Sequence, residues 1–414
     1  MLNYLWTGFF FAAAAATLYQ GMWLGHPEIF GLVIESVFAM AKTAFEIALG
    51  LTGVMTFWLG IMRVGERAGC IRGLSRAIAP VLERLFPEIP AGHPAFGSMV
   101  MNMAANVLGL DNAATPLGLK AMQELQELNP SADTASNSQI MFYAINASSI
   151  TLVPVGVFTI LHQLGYRNPT ELFLPILLAT TCSTVVGVGT ACLFQRINLF
   201  ERRILLAFAG ALGLVAGLAA LLPILGRDRL QVAAGTAGSA VIFGLIIFFI
   251  GLAALRKVNV YEEFIAGAKE GFSVTIAIVP YLVAMLVAVG VLRASGVLDL
   301  ALDAIAWLAG LFSGASGGPR PAFIEALPTG FMKPFSGSGA RALMIETIKT
   351  HGVDSLAGRM AAVMQGCTET TFYVLAVYFG AVGIRRTRYA VTCGLLADAA
   401  GIIAAIIVTL LFFG

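Results

Sequence analysis

The stretch PAFGSMVMNMAANVLGLDNAATPLGLKAMQELQEL, residues 94–128, decides the fold. It is moderately apolar at both ends and broken in the middle by Gly109-Leu110-Asp111-Asn112, a turn-forming run. The sequence therefore predicts two short helices meeting at a polar tip. A second stretch reads the same way: PRPAFIEALPTGFMKPFSGSGARALMIETIKT, residues 319–350, is broken at Ser336-Gly337-Ser338-Gly339. Non-helical backbone at membrane depth is tolerated only where protein buries it or water reaches it, so such hairpins normally line a cavity.

The two hairpins stand at matching places in the chain. AKTAFEI at 41–47 parallels AKEGFSV at 268–274, and the tips align at the same offset of 227 residues. Downstream, INASSITLVPVG at 145–156 aligns with MQGCTETTFYVL at 364–375, and GYRN at 165–168 with GIRR at 383–386. An internal repeat is the first feature to seek in a new sequence, and this one divides the chain into halves at 1–195 and 226–414, joined by a connecting transmembrane helix at 196–225.

Membrane residence follows from composition. Of 414 residues 58% are hydrophobic and 12% charged, against roughly 25% charged in a soluble domain. The net charge of +2 gives no electrostatic footprint for nucleic acid. A span needs about 20 residues without strong charge, and nine runs meet or approach that length: Met1–Gly25, Ile47–Met62, Ser138–Tyr166, Leu172–Gln195, Ile204–Leu225, Leu230–Leu255, Phe272–Leu292, Met360–Ile384 and Tyr389–Gly414. The first run has no Lys or Arg ahead of it, which argues for a retained helix over a signal peptide. Arg63–Pro87, with arginines at helical spacing, reads as an interfacial amphipathic helix.

Counting basic residues on alternate sides puts 15 of the 25 Lys and Arg on one face, which by the positive-inside rule places the N-terminus in the cytoplasm. Five spans separate Lys42 from Lys269, an odd number, so the halves are expected to run in opposite directions. Inverted repeats with paired broken segments point to a secondary transporter whose site lies where the repeats meet.

Polar side chains inside a membrane are costly and normally face a cavity or a partner. The first half offers Asn102, Asn106, Asp111, Asn112 and Thr115 around its hairpin, with Asn146, Ser148, Ser149 and Thr151 on the following helix. The second offers Ser336, Ser338 and Arg341, with Gln365, Thr368, Glu369, Thr370 and Thr371. The plain alternatives are interhelical hydrogen bonding for Asn146, Ser148 and Thr151, an Asp111–Arg341 neutralising pair, and snorkelling for Lys120 and Lys333. Glu369, a lone carboxylate within an apolar run, is expected to bind solute or to couple a proton. Asp398 sits in an equally apolar run with weaker polar neighbours. Arg341 and the hairpin amides favour a solute carrying a carboxylate or phosphate. Coupling by H⁺ or Na⁺ is expected, with no other cofactor.

The five cysteines have no paired spacing and the four histidines are scattered, so no metal site is expected. Absence of a phosphate-loop motif argues against an ATP motor. Gly314-Ala315-Ser316-Gly317-Gly318 fits the serine motif of rhomboid-type membrane proteases, with His351 the nearest base in sequence. In a chain holding 45 glycines a chance match of this kind is expected, and no strand precedes it as a hydrolase elbow requires. A non-transporting scaffold or sensor is the other alternative. Neither accounts for polar tips that recur at one offset.

Long strings carry a resemblance. NMAANVLGLDNAATPLGLKAMQEL at 102–125 and INASSITLVPVGV at 145–157 resemble the spore maturation protein A family. KPFSGSGARALM at 333–344, MQGCTETTFYVLAVYFGAVGIRRTRYA at 364–390 and GLLADAAGIIAA at 394–405 resemble the spore maturation protein B family. These belong to the nucleoside-recognition, or Gate, group, which also includes concentrative nucleoside transporters and the membrane part of ferrous iron transporters. The resemblance implies a fusion of two proteins that act as a pair. It implies an all-α integral membrane protein of the bacterial inner membrane, built of inverted repeats with re-entrant helical hairpins, similar to the concentrative nucleoside transporters. Movement of a transport domain against a scaffold, carrying a small polar solute, is the implied activity. Iron is a poorer candidate because no GTPase domain is attached. Analogy alone suggests a homo-oligomer.

Overall fold

A computed structural model describes the chain except residues 1, 91, 108–110, 149–150, 152–153, 200, 211–212, 214–216, 218–226 and 314–319, and at 2–3, 5, 71–72, 75, 77–78, 111–113, 227–228, 230, 274–275, 277–278 and 308–313 only the backbone is described. Among the described residues the regular structure is helical, with one isolated bridge joining Thr134 to Arg386. The chain is an all-α, multi-pass membrane protein. Among the described residues four helices are long and apolar enough to cross a bilayer, and a fifth span is formed if the pair Val279–Ala294 and Val297–Trp307, bent by 71°, is taken together.

The helices stand at the offset read from the sequence. α1 (Leu2–Leu18) has α9 (Arg227–Leu255) as its counterpart, and α2 (Glu28–Arg67) has α10 (Val260–Ala294). α3 (Cys70–Leu85) corresponds to α11 (Val297–Ser313), α4 (Pro94–Val107) to α12 (Ala322–Met332), and α5 (Asp111–Glu127) to α13 (Gly337–His351). Then α6 (Asn137–Ser148) matches α14 (Leu356–Gly366), α7 (Val155–Gln163) matches α15 (Thr371–Ala381), and α8 (Phe173–Gln195) matches α16 (Ala390–Phe413). Between α8 and α9, residues 202–210 are helical; most of the expected connecting helix lies outside the described residues.

Two of the nine expected spans are not single helices. The apolar run 138–166 is divided into α6 and α7, and the run 360–384 into α14 and α15. Pro154 sits ahead of α7 with φ −77° and ψ 66°, and Thr370 ahead of α15 with φ −82° and ψ 90°, neither helical. Hydropathy alone reads through such breaks, because apolar side chains on both sides say nothing of backbone direction. Two other runs lie within longer helices: α2 has 40 residues and α10 has 35. At 1.5 Å per residue α2 is about 60 Å long, twice the hydrocarbon thickness, so it extends well beyond the bilayer. Arg63–Pro87 is also divided, at Gly69, whose φ of +77° ends the preceding helix. Arg63 and Arg67 therefore belong to the end of α2, where both bond Glu263 on α10 at 3.2 Å.

Two pairs of counterparts pack on one another, α2 along α10 and α8 along α16. The first contact needs small residues, because a Cβ on Gly271 would lie 2.7 Å from the Met55 carbonyl. Close backbone approach of this kind replaces the hydrophobic drive that helices lack within lipid.

Candidate functional site

The two broken elements meet. The Glu369 amide, in the break between α14 and α15, donates to the Ala147 carbonyl at the end of α6 at 3.0 Å. The Tyr143 hydroxyl on α6 donates to the Thr371 carbonyl at 3.4 Å. A helix that stops in the interior leaves amides and carbonyls without intrahelical partners, and here each break supplies part of what the other lacks.

The second hairpin tip docks on the second break. The Phe372 amide donates to the Pro334 carbonyl at 2.9 Å, and the Gln365 side-chain amide reaches the Gly337 carbonyl at 3.4 Å. Ser336 caps α13, its hydroxyl accepting from the Gly339 amide at 3.0 Å, and it lies 3.2 Å from the Ser338 hydroxyl. Gly337 is required by proximity: a Cβ there would lie 2.9 Å from Thr370 Oγ1. Phe335 and Phe372 stack at 5.2 Å beside this contact.

A buried amide network ties the first hairpin to both halves. Asn106 donates to the Asn146 side-chain oxygen at 2.7 Å, which also accepts from the Tyr378 hydroxyl of α15 at 3.1 Å. Asn102 donates to the Ala114 carbonyl at 2.7 Å and to the Tyr378 oxygen at 3.3 Å. Tyr378 stacks on Phe142 with centroids 5.5 Å apart.

The residues expected at the site are thus partly gathered. Asn106 and Asn146 share the amide network, while Ser336, Ser338, Gln365 and Thr370 cluster at the second tip. Glu369 is half-buried, with its carboxylate accepting from the Thr370 amide at 3.3 Å. Ser148 donates within its own helix, to the Ala144 carbonyl 2.8 Å away. Arg341 is half-buried on α13, and Thr115 is exposed on α5. The side chains of Asp111 and Asn112 lie outside the described residues, as does Ser149. Lys333 departs from expectation: it is 7% exposed at the second tip and does not snorkel. Lys120 is exposed and lies 3.7 Å from Glu124.

Four residues that sequence reasoning left out of the site stand at these contacts. Tyr378 looked like one more aromatic in an apolar helix. Thr180 and Thr184 of α8 both donate to the Ser148 carbonyl, at 3.3 and 3.2 Å, which satisfies backbone freed by the first break. Asp398 of α16 is 3% exposed and faces the second break. Its carboxylate in an apolar run was the available signal.

A cavity of about 270 Å³ beside the first break is walled by apolar side chains from α3, α4 and α8, with Asn106, Thr181 and Thr184 as its polar edge. Among the described residues no cluster of three His, Cys, Asp or Glu could hold a metal ion. Ser316 lies outside the described residues, and His351 is held 3.3 Å from Glu325.

Comparison with known proteins places this arrangement among relatives. The family described as "Gate: Nucleoside recognition" matches twice, over residues 48–164 and 275–385, together more than half of the chain. Spore maturation protein A of Bacillus subtilis (strain 168) is 38% identical over 208 residues, which is 49% of this chain and 98% of that protein. Spore maturation protein B of the same organism is 44% identical over 180 residues, 42% of this chain and 91% of that protein.

Proposed function

The chain belongs to the Gate, nucleoside-recognition, family, and from that premise we propose that it is a secondary transporter of a small polar solute, nucleoside-like or anionic. Its halves, 1–195 and 226–414, are read as inverted repeats similar to concentrative nucleoside transporters, with α4–α5 and α12–α13 as re-entrant hairpins. One observation carries the reading: two discontinuous helices at equivalent sequence positions meet through the Glu369 amide and the Ala147 carbonyl. Helix ends buried at membrane depth are costly, and their recurrence in both halves supports a shared binding role.

In this reading the solute sits between the breaks. Asn106, Asn146, Gln365 and Thr370 supply neutral donors and acceptors, while Ser336, Ser338 and the α13 amides supply a helix N-terminus suited to an anionic or carbonyl group. Arg341 adds positive charge nearby. Coupling is to H⁺ or Na⁺. The protein is placed in the bacterial inner membrane with its N-terminus in the cytoplasm, as a homo-oligomer. The fusion brings into one chain what the two spore maturation relatives hold separately.

Thermal unfolding of the purified protein against nucleosides, amino acids, dicarboxylates and dipeptides tests this. A ligand at 100 times its Kd stabilises the native state by about 2.7 kcal/mol. The expected result is a shift with one class, lost in Asn146→Ala. A shift retained in Asn146→Ala would move the site away from the breaks, and no shift with any class would favour a scaffold.

A further inference from the structure

The two breaks are satisfied in different ways, and the difference exposes a second site. At the first, the Ser148 carbonyl receives two hydroxyl donors from α8, Thr180 and Thr184. Setting the first residues of α8 and α16, Phe173 and Ala390, against each other carries Thr180, Thr181 and Thr184 to Ala397, Asp398 and Gly401, and the aligned strings at 145–156 and 364–375 pair Ser148 with Cys367. The contact recurs: a Cβ on Gly401 would lie 3.3 Å from the Cys367 carbonyl oxygen. The donors do not. Ala397 and Gly401 have no hydroxyl, and an ionised Asp398 can only accept.

Asp398 brings a carboxylate instead, near the Cys367 side chain. It is 3% exposed, and both of its carboxylate oxygens are buried. The hydroxyls of Thr368 and Thr371 lie beside it as donors. A charge desolvated in this way, with two neutral hydroxyls as its donors, is held only if something neutralises it. The charged and titratable groups that act on it are Lys333 at the second hairpin tip, Glu369 in the break and Tyr143 on α6, with Cys367 at the end of α14. α8 has no charged residue. In α9 the charged positions are 227–229, just before Gln231, which bonds the Phe412 carbonyl far along α16 from Asp398.

We propose that Asp398 is the proton-binding group of this protein. The inference rests on the transporter reading and names its coupling ion. Protonated by water, Asp398 becomes a hydroxyl donor to the acceptors around it and carries no charge. When it returns the proton to water, its negative charge is left to the Lys333 ammonium on the second hairpin. The state of the proton then sets how strongly the hairpin is held to α16. Glu369, the carboxylate singled out in the sequence, is half-buried and accepts from the Thr370 amide.

Infrared difference spectra of the full-length protein in detergent, taken between acid and alkaline pH, read the proton directly. The expected result is a carboxylic-acid carbonyl band that appears on acidification, is lost in Asp398→Asn, and persists in Glu369→Gln. Asp398→Glu, which keeps the acid, should move the band, and carries the test should the Asn variant not fold. A band unchanged in both Asp398 variants, or absent from the unsubstituted protein, overturns the proposal. So does thermal stabilisation by NaCl over choline chloride at fixed pH that disappears in Asp398→Asn, since that makes the site one for Na⁺. A titrating band alongside a failed solute screen would remove transport and leave the proton site standing.

Discussion

At the first break, between α6 and α7, a freed carbonyl is tied by two threonine hydroxyls. At the second, between α14 and α15, the equivalent Cys367 carbonyl lies against Gly401, and the buried carboxylate of Asp398 stands near the Cys367 side chain. The same backbone event thus has two chemical solutions. Hydroxyl donors make the first break a fixed joint with no dependence on charge. With the proton proposed at Asp398, the second is a joint that depends on charge, and it is the one on which the second hairpin tip rests through Phe372 and Pro334.

Steric substitutions should separate the joints most strongly. Gly401→Val would place a Cβ 2.7 Å from Thr368 Cγ2, and overpacking of this kind costs about 1–3 kcal/mol. Its counterpart Thr184→Val keeps the volume and loses only a hydroxyl. Melting in detergent should fall far more for Gly401→Val, and equal losses would break the correspondence of α8 with α16.

Next is the amide network between the joints. Asn146→Ala leaves the Asn106 amide and the Tyr378 hydroxyl without their shared acceptor, a loss of about 1–3 kcal/mol where those groups stay dry. Because Tyr378→Phe removes part of the same network, the double variant should lose less than the sum of the singles, and strict additivity would show the groups to be uncoupled.

Smaller effects refine the donor argument. Thr180→Ala and Thr184→Ala should each cost about 0.6 kcal/mol, the average for interhelical hydrogen bonds in membranes, and together more than twice that, since the second removal leaves the Ser148 carbonyl without a hydroxyl.

The smallest effect lies outside the membrane. Asp133 holds the Arg385 and Arg386 amides on its backbone carbonyl at 2.8 and 2.9 Å. Its carboxyl is held below the usual value by the Thr134 hydroxyl and then, against a small opposing desolvation, by the charge of Arg386. A depressed folded pKa contributes stability that is present above the unfolded value, about 3.9, and lost as pH falls through the folded one. Asp133→Asn should therefore flatten a slight acid-side decline in melting temperature, and an unchanged decline would assign it to other carboxylates.

Much of this architecture is legible in the sequence. Charge-free runs mark the helices, and turn residues at one offset mark the hairpins, because both signals are local. The breaks are harder to read: 138–166 and 360–384 are long enough and apolar enough to pass as single spans, and only Pro154 and the polar runs Asn146–Thr151 and Cys367–Thr371 hint that the backbone turns there. The site was half legible for the same reason. Asn106, Asn146 and Gln365 stand out as amides in apolar surroundings, whereas Thr180, Thr184 and Tyr378 are ordinary residues of membrane helices until a freed carbonyl or an asparagine is seen beside them. Asp398 stood out by charge but gained meaning only when Ala397 and Gly401 proved to be the places where α8 has hydroxyls.

Counterflow into proteoliposomes tests the central claim, that the meeting breaks carry a solute across the membrane. With vesicles loaded in turn with a nucleoside, an amino acid, a dicarboxylate or a dipeptide and offered its labelled form outside, one class is predicted to accumulate, with accumulation abolished by Asn146→Ala. Accumulation of no class, or accumulation unaffected by Asn146→Ala, would contradict it.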